Sequence, residues 1–318
     1  MTYRGYRIAL LIPCYNEEAT VSTVVNEFRR AMPQLDIYVF DNKSTDQTMT
    51  QARATGATVV SVPLRGKGNV VRRMFADVEA DIYVMVDGDS TYDAVSLPAM
   101  VDRLLDDHLD MVVGCRTTDD NDADHAVYRR GHRWGNRLLT WSVVQLFGGS
   151  FTDLLSGYRV FSRRYVKSFP AISHGFEIET ELTVHALELR MPYGEIDTSY
   201  GRRPEDSHSK LSTYLDGWRI LRTIGKLFIS ERPLAFFGLC AALLAATAML
   251  LFIPLLVEFL RTGLVPRLPT AVLSVTMMTC ALLSLVCGLI LDTVTRGRQE
   301  AKRFVYMKTP SFLPRRHS

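Results

Sequence analysis

The sequence has little charge imbalance. Its 37 Lys and Arg stand against 34 Asp and Glu, a formal net charge of +3 in 318 residues. Such a chain lacks the global electrostatic footprint of a nucleic-acid binder, and no nucleic-acid partner is expected. Cysteine is scarce too. Cys14, Cys115, Cys240, Cys280 and Cys287 show no metal-type spacing and read as reduced thiols of a cytosol-facing protein. Histidine offers no zinc site, because His125 and His132 lie seven apart and His174 and His185 eleven apart. Internal repeats and low-complexity segments are absent. A cleavable signal peptide is not expected either, since the apolar stretch Ile8–Ile12 is too short and leads into a strand–turn pattern.

What the chain does have is two long stretches without charge, Leu234–Val257 and Leu268–Leu291, each 24 residues. As helices, at about 1.5 Å per residue, each reaches roughly 36 Å, enough to cross a hydrocarbon core of about 30 Å with some tilt. A pair of buried helices in a large core is the alternative, and uncharged runs of this length are rare in soluble domains. Arg219, Arg222, Lys226 and Arg232 precede the first run, and Arg296, Arg298, Lys302, Arg303 and Lys308 follow the second. The short connection holds only Arg261 and Arg267 with Glu258. This asymmetry predicts a multi-pass protein of the cytoplasmic membrane with both termini and the soluble domain in the cytoplasm. Gly238, Ala241, Ala245 and Ala246 permit close helix packing, within the chain or in a homo-oligomer.

Before these runs the pattern alternates strand and helix. Strands are expected at Ile8–Pro13, Ile37–Phe40, Thr58–Val62, Ile82–Val86 and Asp110–Gly114. Helices fall between them, one of them capped by Asn16 with Glu17 and Glu18 in its first turn. The rhythm argues a mostly parallel sheet covered on both faces. Further on, helices are expected at Val127–Phe147 and Phe176–Leu189, and strands at Gly157–Phe161 and Glu195–Tyr200. Lys210–Ile229 alternates apolar and basic residues. It reads as an interfacial helix or as an ordinary helix packed on the domain. The domain boundaries follow: 1–208 soluble, 209–232 juxtamembrane, 233–292 spanning, 293–318 a basic tail.

The fourth strand ends in Asp87-Gly88-Asp89. Open α/β sheets bind ligands at the carboxyl edge of their strands. Two hard oxygen ligands placed there suit Mg²⁺ or Mn²⁺, which in turn grips a diphosphate. Asp89 is the expected direct ligand, with Asp87 supporting it or contacting a ribose. Asp93 is read as structural and Thr91 as a bystander.

Ile12-Pro13-Cys14-Tyr15-Asn16-Glu17-Glu18, Asp41-Asn42-Lys43-Ser44-Thr45-Asp46 and Asp87-Gly88-Asp89 occur in an order and spacing that resemble family 2 glycosyltransferases of the GT-A fold. Arg65-Gly66-Lys67-Gly68, Thr152-Asp153-Leu154-Leu155-Ser156-Gly157-Tyr158-Arg159 and Ser207-His208-Ser209-Lys210-Leu211 narrow the resemblance. With the two C-terminal runs, the whole chain looks like a polyprenyl-phosphate glycosyltransferase, the group of dolichol-phosphate mannose synthases and bacterial undecaprenyl-phosphate glucosyltransferases. Two positions depart from the family pattern. Asp41-Asn42-Lys43-Ser44 replaces a common Asp-Asp-Gly-Ser, and Asp206 stands where many relatives have glycine.

The resemblance implies a GT-A domain with a two-helix transmembrane hairpin. It implies inverting transfer of one sugar from a nucleotide-sugar, UDP-glucose first and GDP-mannose or another UDP-sugar as alternatives, to a polyprenyl phosphate, with Mg²⁺ or Mn²⁺ as cofactor. It places the base and ribose at Pro13, Tyr15, Glu17 and Asp41. For Glu17, a role as a dipole partner in a helix's first turn is an equal alternative. Lys67, between glycines at a helix start, suits an anion; a solvated lysine is the alternative. Asp153 belongs to the acceptor-side motif, where it takes a residual proton, orients the phosphate, or simply forms a turn. An acceptor phosphate held against an anionic donor demands fixed positive charge, for which Arg116, Arg129, Arg133, Arg203 and Lys210 are candidates, with Ser209 as hydroxyl donor. Glu177, Glu179 and Glu181 cannot all share one helix face, so one could reach the donor sugar's hydroxyls and the others are expected to be exposed. A processive polysaccharide synthase is the rival enzyme, but its Gln-X-X-Arg-Trp motif is missing: Arg133-Trp134 has Arg130 where glutamine is needed. A non-catalytic nucleotide-binding subunit is the rival from another class, and the intact Asp87/Asp89 pair argues against it.

Overall fold

In the computed structural model, the described residues are 2–117, 140–145, 147–173, 175, 177–201, 222, 225–226 and 228–312. The chain divides into a globular unit, Met1–Ile220 with Ala301–Ser318, and a second unit, Leu221–Glu300.

The globular unit is built on one seven-stranded sheet. Its strands are β1 (Ile8–Cys14), β2 (Asp36–Asp41), β3 (Thr58–Ser61), β4 (Ile82–Met85), β5 (Met111–Thr117), β6 (Arg159–Ser162) and β7 (Tyr193–Ser199), in the order β3-β2-β1-β4-β6-β5-β7. Only β6 runs against its neighbours. The two central strands are apolar along their length because both sheet faces are covered. The chain steps outward from β1 to β3 and then crosses back to β4. The switch point therefore lies between β1 and β4, and at the carboxyl edge it sets Cys14 beside Gly88.

Helices cover the sheet through narrow apolar faces. In α1 (Val21–Ala31), Val21, Val24, Val25 and Phe28 are buried, and in α3 (Lys67–Asp77), Val70, Val71, Met74 and Phe75 are. α2 (Thr48–Ala54) and α4 (Leu97–Asp106) complete the first half. A short helix not expected from the sequence, α5 (Arg163–Ser168), starts where the Ser162 hydroxyl accepts the Tyr165 N–H. α6 (Ile178–Glu188) is buried over nearly its whole surface, which explains its weak amphipathic signal.

The expected start of the first helix needs correction. α1 begins at Val21, with no acidic residue in its first turn. Asn16 instead takes a left-handed φ of 52° and accepts the Thr45 N–H at 2.8 Å. The N–H groups of Asn16, Glu17 and Glu18 donate to Ser44, Thr48 and Asp46. These residues lace two loops together ahead of α1, and the Glu17 carbonyl accepts the Val21 N–H at 3.0 Å.

The last residues of the chain pack into the globular unit. Lys302 Nζ lies 2.6 Å from Glu188 Oε2, and the Tyr306 hydroxyl donates to Asp110 Oδ2 at 2.8 Å. Asp110, fully buried, also accepts from Ser162 and Arg164. Tyr6 stacks edge-on against Phe312 and donates to its carbonyl.

The second unit is a helical hairpin of α7 (Pro233–Thr262) and α8 (Leu268–Lys308); α8 outruns the expected span, and its last turns belong to the globular unit. Both helices are long and apolar enough to cross a membrane, and only 17% of each apolar window is buried, unlike a soluble core helix. The buried positions recur every seven residues: Ala241, Ala248 and Leu255 on one helix, Ser274, Ala281, Gly288 and Thr295 on the other. Small residues bring the backbones close. A Cβ on Gly288 would sit 3.0 Å from that of Phe237, and Ser284 donates to the Phe237 carbonyl at 3.0 Å. Gly263, at φ 68°, closes α7.

His185, inside α6, gives the globular unit an acid-sensitive point. Burial, reinforced by the Lys302 charge, pushes its pKa from 6.5 down to about 3. The unfolded chain therefore binds the extra proton first as pH falls. Stability contributed by neutral His185 is complete above 6.5 and is lost as pH drops through that value. Between pH 6.5 and 5 the slope is expected to reach about 1.4 kcal/mol per pH unit. Thermal midpoints of the solubilised protein across that window should flatten in His185→Gln, and an unchanged slope would refute the assignment.

Candidate active site

The carboxyl edge of β4 turns sharply, and the turn is shaped by its neighbours. A Cβ on Gly88 would lie 2.6 Å from Cys14 Sγ, so only glycine lets β4 pass β1 here. The Gly88 carbonyl accepts the Thr20 hydroxyl at 2.6 Å, and Ser90 takes a φ of 58°. Asp89 is 3% exposed and accepts the Thr91 hydroxyl at 2.6 Å, so Thr91 is a partner of that carboxylate and not a bystander. Asp93 is structural, as expected: it accepts from the Val95 N–H and the Ser96 hydroxyl.

Lys67 ties this edge together. It sits at the first position of α3, and its Nζ lies 2.6 Å from Asp87 Oδ1 and 2.5 Å from Glu179 Oε1. Burial pulls the ammonium's pKa down, but the charges and hydrogen bonds of Asp87 and Glu179 outweigh it and hold the pKa above the ordinary lysine value. Glu179 Oε2 is buried and meets no donor among the described residues. Of the three glutamates in this stretch, Glu179 is thus the one at the site. Glu181 is not simply exposed, since it accepts the N–H groups of Ile172 and Ser173.

Among the described residues no group of three or more His, Cys, Asp or Glu side chains forms a metal cage. Asp87 and Asp89 offer a partial, all-oxygen set, with Asp87 Oδ2 outside the Lys67 contact. Such a set fits Mg²⁺ or Mn²⁺, which typically bind through one or two carboxylates while phosphates and water complete the shell.

The β2 exit explains one departure from the family pattern. Asn42 is buried; its amide donates to Leu64 O at 2.7 Å and Val62 O at 3.3 Å, while its Oδ1 accepts the Gly66 N–H at 2.7 Å. An ionised aspartate cannot donate those bonds. Lys43 occupies the glycine position of the pattern and adopts φ 59°, so the turn survives in its left-handed form at a cost of about 1–2 kcal/mol. Asp41, 1% exposed, accepts the Ser44 N–H through Oδ2, and its buried Oδ1 meets no donor among the described residues. Arg65 stacks over the Tyr15 ring at 5.4 Å.

On the other side, Arg116 and Asp153 form a two-point pair, Nε to Oδ2 at 2.7 Å and Nη2 to Oδ1 at 2.8 Å. Burial lowers the pKa of the guanidinium, but bonding to Asp153, with Tyr92 and Tyr200 nearby, outweighs it and raises the value above that of ordinary arginine. Glu195 accepts the Thr152 N–H at 2.8 Å and its hydroxyl at 3.0 Å, fixing the start of the loop. At the loop's end, any Cβ on Gly157 would strike the Asp87 carboxylate. Asp87 and the Asp153 loop are therefore neighbours.

Asp87, Gly88, Asp89 and Lys67 thus form one cluster. Pro13 lies within β1 opposite Phe40, and Tyr15 directly follows Cys14, which pairs with Asp41 at the end of β2. Glu17 lies just ahead of α1, where its carbonyl accepts the Val21 N–H at 3.0 Å. Arg129, Arg133, Arg203, Ser209 and Lys210 lie outside the described residues. Sequence reasoning gave no role to Glu195, Gly157 or the Asn42 amide. The Asn42 departure, and the place of Gly157 in the Thr152–Arg159 motif, were the visible signals.

The profile of glycosyl transferase family 2 matches residues 9–169. The chain belongs to this family. It is 33% identical over 232 residues to glycosyltransferase AglJ of Haloferax volcanii, covering 73% of this chain and 75% of AglJ. It is 25% identical over 225 residues to the dolichyl-phosphate hexose transferase of the same organism, covering 71% and 95%. The fold is GT-A. Mycobacterium tuberculosis glucosyl-3-phosphoglycerate synthase in complex with Mn²⁺ and UDP-glucose superimposes with a TM-score of 0.56 at 26% identity, covering 71% of this glycosyltransferase and 79% of the synthase.

The Asn42 geometry makes a test. Asn42→Asp would place a carboxylate against two carbonyls, raising its pKa above the unfolded value of about 3.9. Its cost should grow as pH rises through that window, reaching about 1–3 kcal/mol near neutrality. Unfolding of variant and wild type at pH 4.5 and 7.5 measures the difference; a pH-independent difference would contradict the bonding described.

Proposed function

We propose that this family 2 glycosyltransferase transfers a single sugar, with inversion, from a nucleotide-sugar to a polyprenyl phosphate on the cytoplasmic leaflet. UDP-glucose is the first donor to test. The observation that carries the reading is the contact of two half-sites: the Asp87–Asp89 edge, suited to a diphosphate and its cation, abuts at Gly157 the loop whose Asp153 holds Arg116. A phosphate nucleophile needs such a fixed cation beside an anionic donor, and it needs little help from a base.

The buried Oδ1 of Asp41, which meets no donor among the described residues, would accept a base N–H. Asp87 and Asp89 would hold Mg²⁺ or Mn²⁺, which when bound neutralises the leaving diphosphate. Two of the five guanidinium N–H donors of Arg116 bind Asp153, leaving three for an acceptor phosphate. Asp153 acts here as the orienting partner of Arg116. An acceptor phosphate oxygen attacks the anomeric carbon from the face opposite the diphosphate. The bond to the diphosphate breaks, and the nucleoside diphosphate leaves with the electron pair. A lipid acceptor is supported by the two membrane-length helices and by the similarity to a dolichyl-phosphate hexose transferase. The basic flanks of those helices support a cytoplasmic active site.

Asp89→Ala should lower transfer of radiolabelled sugar to polyprenyl phosphate by at least about a thousandfold, the equivalent of roughly 4 kcal/mol. It should also abolish Mn²⁺-dependent thermal stabilisation by UDP. Transfer at the wild-type rate without that carboxylate would sink the proposal.

A further inference from the structure

Arg159 is among the most deeply buried side chains in the molecule, with no measurable exposure, and the mechanism above gives it no role. It begins β6 immediately after the Asp153 loop. Burial lowers its pKa, and among the described residues no carboxylate pairs with it. Its bonds go elsewhere: Nε donates to Ser156 O at 2.9 Å, Nη2 to Leu154 O at 2.7 Å, and Nη1 to the Thr183 hydroxyl on α6 at 2.9 Å. Sealing a guanidinium from water costs several kcal/mol unless its hydrogen bonds are made. Here the acceptors are two buried backbone carbonyls of one tight loop, which would otherwise lack donors.

That loop serves both half-sites. Asp153, just before the first carbonyl, grips Arg116, and Gly157, just after the second, rests against Asp87. Ser156 is held further by its hydroxyl bond to Gly114 O at 2.6 Å, and the Gly157 N–H donates to the Tyr92 hydroxyl at 2.8 Å. The guanidinium fork reaches both carbonyls at once from behind. A lysine ammonium, a single point at the end of a flexible stem, cannot hold that two-point geometry.

We propose that Arg159 is a positioning residue that fixes the Leu154–Gly157 loop and so sets the distance between the acceptor cation Arg116 and the donor edge at Asp87. Its effect on turnover rests on the transfer reaction proposed above; its effect on the loop does not. Small misplacements of reacting groups cost about a hundredfold in rate.

The test uses the full-length protein in detergent with three variants. Arg159→Lys keeps the charge, Arg159→Met removes it, and Val25→Ala in the α1 core matches a loss of stability far from the loop. Amide exchange is read at Leu154–Tyr158 and, as reference, at Ile8–Cys14. Arg159→Lys should speed exchange at Leu154–Tyr158 at least about tenfold, leave β1 protected, and cut turnover by about ten- to a hundredfold with the thermal shift given by UDP and Mn²⁺ unchanged. Arg159→Met should be worse on the loop and turnover readouts, and Val25→Ala should change neither. If Arg159→Lys exchanges like wild type, or if loop and β1 loosen together as in a general loss of stability, Arg159 is not a positioning residue. If wild type transfers nothing to polyprenyl phosphate, the acceptor assignment fails, and the exchange arm still decides the role of Arg159.

Discussion

The site depends on one buried ammonium. Lys67 lies between Asp87 and Glu179, and Asp89 stands two residues along the same strand edge. Carboxylates crowded at the end of a parallel sheet repel one another in a medium that screens weakly. One ammonium shared by two of them offsets that repulsion and fixes their directions. The lysine is itself placed by its surroundings. Gly66, at φ 116°, turns the chain into α3, and the Asn42 side chain holds Gly66 through its N–H. Thus β2, which ends in Asp41, and the Asp87 turn just after β4 are connected by one run of hydrogen bonds.

Glycine does the complementary work where two chains must nearly touch. At Gly88 the obstacle is Cys14 on the neighbouring strand, and at Gly157 it is the Asp87 carboxylate. Asp87 consequently has Lys67 on one oxygen and the Leu154–Gly157 loop against the other. At Gly157 the Asp153 loop lies directly against Asp87. A donor diphosphate and an acceptor phosphate are both anions, and approach between them is opposed unless cations stand on each side at fixed distance. In the transfer proposed above, Lys67 and Arg116 would be those cations, and each is held by carboxylates rather than left on a mobile stem.

Much of this was legible in the chain itself. The parallel half of the sheet follows from apolar runs spaced by helical segments, and Asp87 and Asp89 are marked because they end such a run. The antiparallel β6 was harder to read, because four buried residues after a loop carry no direction. Glu179 and Lys67 are far apart in sequence, and the charge pattern of Glu177, Glu179 and Glu181 looks alike at all three positions. Only packing of α6 decides that one faces Lys67 while another accepts backbone N–H groups at Ile172 and Ser173. Asn42 was visible as a departure, but its reason lay in carbonyls twenty or more residues ahead.

The C-terminal segment shows the same limit from the other direction. From composition, Lys302 is one more positive charge after an apolar span. In the folded chain its ammonium meets Glu188 in a nearly closed contact, and Tyr306 reaches the buried Asp110. Removing one member of a buried ion pair strands the other, a cost of about 3–5 kcal/mol. Residues from Ala301 to Phe312 are therefore part of the globular unit in an energetic sense as well as a geometric one. They hold α6 at Glu188, the far end from Glu179. A helix fixed at one end by Lys302 and at the other by Lys67 has little freedom to slide, and it is against this helix, at Thr183, that Arg159 is held as it bonds the Leu154–Gly157 loop.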